Sequence, residues 1–149
     1  MKPAFILILF FLILFTAELG TAVYLYAVKY GFSEESIVRY IHGSSEEFLQ
    51  KKSFYGLLEL NLPHFTAVFL TLFFIMHIFY FFPLKKFYFF LSAVVFVSAF
   101  FNFSSPFLVL FYKELSYLKL LSFFIFISSV VFSICLLIFL TLYKFSKKC

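Results

Sequence analysis

The sequence predicts an all-α fold, a polytopic membrane four-helix bundle with short interfacial helices on the outer side. Composition is the first reason. Of 149 residues, 64% are hydrophobic and 13% charged, where a soluble domain has roughly 45–50% and about 25%. A chain of this length cannot bury so much apolar surface in a water-facing globule. The second reason is segmentation: four apolar stretches approach the roughly 20 helical residues that cross about 30 Å of hydrocarbon. The third is hydrogen bonding. In lipid each segment must satisfy its own backbone, and no run of alternating polarity competes for strands. The 29 Phe add nothing beyond this, since any bulky apolar side chain serves against lipid.

Residues 4–28 form the first span. Lys2, the apolar core and the small residues Gly20, Thr21 and Ala22 also fit a cleavable secretory leader. The apolar run continues through Val28 to a full membrane thickness, which favours an uncleaved helix. Glu18 lies near the middle of this span. Ionisable groups at that depth usually face a bundle interior, so Glu18 is expected to hydrogen-bond to Asn102, Thr71 or His77, or to accept protons beside a quinone, a haem or a proton path. Thr16 and Gly20 form a small-xxx-small pair that admits a neighbouring helix.

Residues 31–61 read as an ordered outer cap of short helices. Ser33, Ser45 and Ser53 are the expected N-caps, and Glu34, Glu35, Glu46 and Glu47 fall in first turns, where the helix dipole favours carboxylates. Phe54, Leu57, Leu58 and Leu60 are expected against the membrane surface. The second span, 62–82, contains His64 just after Pro63, at the expected wet start of the helix, and His77 deep in the apolar layer. The third span is 87–103. Ser105 as N-cap and Pro106 at the first helical position predict a separate interfacial helix over 106–117, with Lys113, Glu114 and Lys119 in water. A third span kinked at Pro106 is the alternative. Residues 118–143 form the fourth span.

If four helices alternate, Lys2, Lys85, Lys86, Lys144, Lys147 and Lys148 share one side. The other six cations, Lys29, Arg39, Lys51, Lys52, Lys113 and Lys119, share the opposite side. The count is a tie, but the first set is packed into a short connection and a tail, where the positive-inside bias acts. Both termini are therefore expected in the cytoplasm, in the cell inner membrane.

The chain has no Asp and four Gly, and it lacks a nucleotide-binding loop, an HExxH run and a Gly-x-Ser-x-Gly elbow. No catalytic set and no metal site is expected. Cys135 lies inside the fourth span and Cys149 ends the tail, so no disulfide is expected, and lipidation of Cys149 fits no pattern. The net charge of +5 belongs to membrane flanks, with no basic groove for nucleic acid.

The histidines are the remaining clue. Thirteen helical residues turn through about 220° after whole turns, so His64 and His77 project from different faces. The stacked two-haem arrangement of the cytochrome b family needs two His on one face of each of two helices, and a chain with three His does not meet it. A single haem b remains, held by His64 or His77 with a partner from His42 or another subunit. Three functional readings follow. The foremost is a non-catalytic membrane subunit or scaffold that meets lipid and either another membrane subunit or copies of itself. The second is a single-haem b-type or quinone-linked electron-transfer subunit. The third is a proton-linked carrier using Glu18 and His77.

Overall fold

A computed structural model of the chain describes residues 2–82 and 85–146. The chain runs through α1 (Lys2–Tyr30), α2 (Glu34–His42), α3 (Phe54–Phe79), α4 (Lys85–Phe111), a 3-10 turn (Lys113–Leu115) and α5 (Ser116–Ser146). Among the described residues no β-strand forms, and four helices are long and apolar enough to cross a membrane. The expected four-span helical architecture is therefore present. Lys2, Lys85, Lys147, Lys148 and Cys149, used above for orientation and lipidation, have side chains outside the described residues.

The helices α4 and α5 form the central antiparallel pair, with α3 packed on α4 and α1 on α5. Small side chains allow the close approach. Ala99, Ser105 and Ser133 are fully buried, and Ser98 and Ser122 nearly so. Most of these hydroxyls bond back to carbonyls three or four residues earlier on their own helix, which disposes of a polar group without a cross-helix partner. The helix α1 contributes one narrow stripe, Leu12, Phe15, Leu19 and Tyr26, spaced at helical intervals toward the core. Only 17% of its span is buried, against 39% for α4 and for α5, so α1 is the peripheral member.

Over one end of the bundle lies α2. Ser33 caps it in a reciprocal box with Ser36, and Gly43, at φ 82°, ends it. Its apolar face, Ile37 and Ile41, is fully buried against Leu57, Val109 and Leu110. Glu34 accepts a hydrogen bond from Ser116 Oγ at 3.3 Å, tying the start of α2 to the start of α5.

Three expectations are corrected. Ser45 starts no helix. Residues 44–49 close as a tight turn through paired Ser44 and Leu49 backbone bonds, and Glu47 reaches Arg39 at 2.7 Å instead of lying in a first turn. The cap is thus one helix plus a loop. Ser53 does cap a helix, but that helix is α3 itself, so the second span begins at Phe54 rather than residue 62 and carries Pro63 in its interior. Likewise the interfacial helix expected over 106–117 does not form. The helix α4 continues through Pro106 to Phe111, and one extended residue, Tyr112, and the 3-10 turn reverse the chain.

Proline 106 shows why the helix continues. A proline inside a helix lacks the N–H that would bond the carbonyl four residues back, here that of Asn102. Inside a bilayer a freed carbonyl needs another donor, and Lys119 Nζ supplies it at 2.7 Å, with Ser105 Oγ at 3.2 Å. Unwinding α4 would orphan several groups where the proline orphans one.

Candidate functional site

The structure relocates most of the residues singled out in the sequence. Glu18 is exposed on the outer surface of α1, and hydrogen bonds to Asn102, Thr71 or His77 are not formed. Thr71 donates to Ala67 of its own helix at 2.8 Å, and Asn102 is engaged by Lys119. The depths of the two histidines also invert. Because α3 starts at Phe54, His64 lies ten residues, about 15 Å, along the helix, and because α3 ends at Phe79, His77 falls in the last turn. His77 is exposed and stacks on its own helix neighbours, with ring centroids 6.1 Å from Phe73 and 6.3 Å from Tyr80. His42 belongs to α2, where its Nε2 donates to the Val109 carbonyl at 2.8 Å, one of the terminal carbonyls of α4 left without a helical donor. The three histidines do not converge, and no group of His, Cys, Asp and Glu among the described residues is arranged to hold a metal ion.

Lys119 is the residue the sequence reading misplaced. It was expected in water and is 4% exposed, one turn into α5 and inside the bundle. Its ammonium donates to both the carbonyl and the Oδ1 of Asn102, each at 2.7 Å. It also lies over two aromatic faces, 5.2 Å from the Tyr26 centroid and 4.9 Å from that of Tyr30. Such faces attract a cation through the ring quadrupole. The signal that would have found Lys119 is Pro106 itself, because an internal proline at that depth calls for a donor from a neighbouring helix.

Around Lys119 lies a cavity of about 180 Å³. The floor comes from α4 and α5, and the walls from the α2 ends of α1 and α3, two helices whose backbones stay apart. Asn102, Tyr30, Tyr40 and His64 contribute polar groups, and Leu25, Val68 and Phe126 contribute apolar wall. Tyr26 also lines it, and the buried Tyr26 Oη has no hydrogen-bond partner among the described residues. Burial raises the Tyr40 hydroxyl above the ordinary phenol range, so it stays neutral and able to donate. No carboxylate lines the cavity. A larger, open groove of about 540 Å³ runs along α4 and α5 between Phe87 and Phe132, but apart from Ser128 and Ser129 its lining is apolar, as acyl chains require. The chemistry is concentrated at Lys119.

No curated protein matches the chain, and no solved structure does. A family model does match, over residues 31–148, so α2 to α5 lie within the matched segment and α1 precedes it. The apolar helices, their packing around α4 and α5 and this match lead to one statement: the chain is a multi-pass membrane protein that belongs to the Aq_1264_TM family, a transmembrane helical domain.

Proposed function

We propose that the protein is a non-catalytic subunit of the inner membrane that assembles with copies of itself through α1. The observation behind this reading is Glu18, an ionisable side chain twelve residues from the α2 end of α1, on the outer surface and without a partner among the described residues. A carboxyl group left against lipid at that depth is costly, and a second copy offers a partner at the same depth. Copies related by an axis along the membrane normal place Glu18 opposite Glu18, where two carboxyls sharing protons can hydrogen-bond. The surrounding face suits a helix, since Thr16, Ala17, Gly20 and Thr21 are exposed and small, and nothing lies within 4 Å of where a Gly20 Cβ would stand.

Replacing Glu18 by Leu is expected to shift the purified protein from an oligomer to the monomer, read by crosslinking in native-like bilayers and by light scattering in mild detergent. Glu18→Gln, which keeps hydrogen-bonding atoms, should retain most of the association. His77→Leu should leave association unchanged and alter stability by less than about 0.5 kcal/mol, because the ring is exposed in the last turn. An oligomer insensitive to Glu18→Leu would overturn the reading. Wild-type protein with a Soret band lost on His77→Leu or His64→Leu would put the single-haem reading in its place.

The orientation proposed is both termini in the cytoplasm. Burial of Lys119 supports it, because removing that residue from the α2 side breaks the tie among cations, leaving five there against six. A reporter fused after residue 149 should be active in the cytoplasm and one inserted near Phe48 should be active outside. The reverse pattern would invert the model.

A further inference from the structure

We propose that the Lys119 cavity binds the anionic head of an amphiphile, a carboxylate or a phosphate carried on an apolar chain. The inference does not depend on pairing through α1. It stands on three features that meet in one place. First, Lys119 Nζ is a buried cation with neutral partners: two of its three N–H groups go to Asn102 and the rest of its surroundings are aromatic faces. A buried charge without an opposite charge is costly in the interior of a bundle. It also stands one turn into α5, where the helix dipole is positive and adds to the same field. Second, Tyr26 is a lining residue of the same cavity, is 6% exposed, and its Oη has no hydrogen-bond partner among the described residues. Buried hydroxyls are nearly always satisfied, and an anionic oxygen between Tyr26 Oη and Lys119 Nζ satisfies both. Third, the cavity is walled by α1 and α3, whose backbones stay apart, and Leu25, Val68, Phe126 and Ile127 make part of its wall apolar, as a hydrocarbon chain requires. At about 180 Å³ it is smaller than the roughly 300 Å³ at which pockets for whole drug-sized ligands begin. A head group fits inside while its tail lies between the helices. Lys29 and His64, exposed at the rim, add positive or donor groups on the way in.

The test uses the full chain, purified in dodecyl maltoside and stripped of lipid. It is titrated with palmitate, phosphatidic acid, inorganic phosphate and the neutral amphiphile monoolein. Saturable binding of palmitate or phosphatidic acid, at least about tenfold tighter than monoolein and inorganic phosphate, is expected from hydrogen bonds to a charged group. The stronger of the two names the head group. Tyr26→Phe removes only the hydroxyl, leaves the ring stacked on Phe123 and should weaken binding several-fold. Lys119→Met combined with Pro106→Ala removes the ammonium while returning a helical donor to the Asn102 carbonyl. That variant should bind at least about tenfold more weakly with unchanged helicity. Equal binding of monoolein, preference for free phosphate, wild-type affinity in the double variant, or no saturable binding at all would overturn the proposal.

Discussion

Replacing Ile41 by Ala is expected to destabilise the protein by about 3 kcal/mol, within the range for buried Ile-to-Ala changes. Ile41, Ile37 and Leu57 are fully buried where α2 meets the ends of α3 and α4. The cap lies at a watery end of the bundle, so releasing its apolar face exposes it to water and the full hydrophobic penalty applies. Between helices inside lipid that driving force is absent. The Arg39 and Glu47 side chains flanking α2 are about half exposed, and their ion pair contributes little beside this. Unfolding in mixed micelles measures the change, and faster hydrogen exchange over residues 34–42 localises it. Phe48→Ala is the control: with Phe48 94% exposed at the loop tip, its effect should stay within about 0.5 kcal/mol. Equal losses for the two substitutions would show that α2 is not held by this cluster.

Replacing Lys119 by Met is expected to cost about 2 kcal/mol, and Pro106→Ala in the same chain should restore about half of it. When the ammonium goes, the Asn102 Oδ1 loses its donor and the Asn102 carbonyl is left with the longer bond from Ser105 Oγ at 3.2 Å. Removing a buried charge offsets part of that loss. The carbonyl lacks a backbone donor only because residue 106 is proline. Alanine there supplies the missing N–H, so the pair should be strongly non-additive in a double-mutant cycle. Pro106→Ala alone should be close to neutral, since the carbonyl already has its donor. Strict additivity of the two changes would show that Lys119 is not compensating for the proline.

Apolar run length was enough to find the four spans, because it reports directly on the thickness of hydrocarbon to be crossed. Their limits were less legible, and the errors have one cause. Pro63 and Pro106 were read by rules for water, where a proline marks a helix start because solvent can take up the groups that are released. In the membrane a helix tolerates an interior proline at the cost of one carbonyl. Starting α3 at Phe54 rather than at Pro63 moves His64 inward along the helix, and ending it at Phe79 rather than residue 82 leaves His77 in the last turn. Depth of a side chain is thus only as sound as the helix limits from which it is counted. The outward position of Glu18 was illegible for a different reason: α1 is apolar on every side, and its inward stripe differs from the rest only in packing. Lys119 looked like an interfacial lysine because its acceptors lie seventeen residues away on another helix.

The short reversal between α4 and α5 bears on the order of assembly. One extended residue and a single 3-10 turn join helices of 27 and 31 residues, so the entropy of closing that hairpin is small. The Lys119 amine therefore meets its acceptor on the preceding helix at the moment the two strands of the hairpin come side by side. An α5 entering the bilayer alone would carry a bare ammonium into hydrocarbon. Insertion of α4 and α5 as one unit lets the lysine cross the interface with two of its donors already hydrogen-bonded, and the other helices can join afterwards.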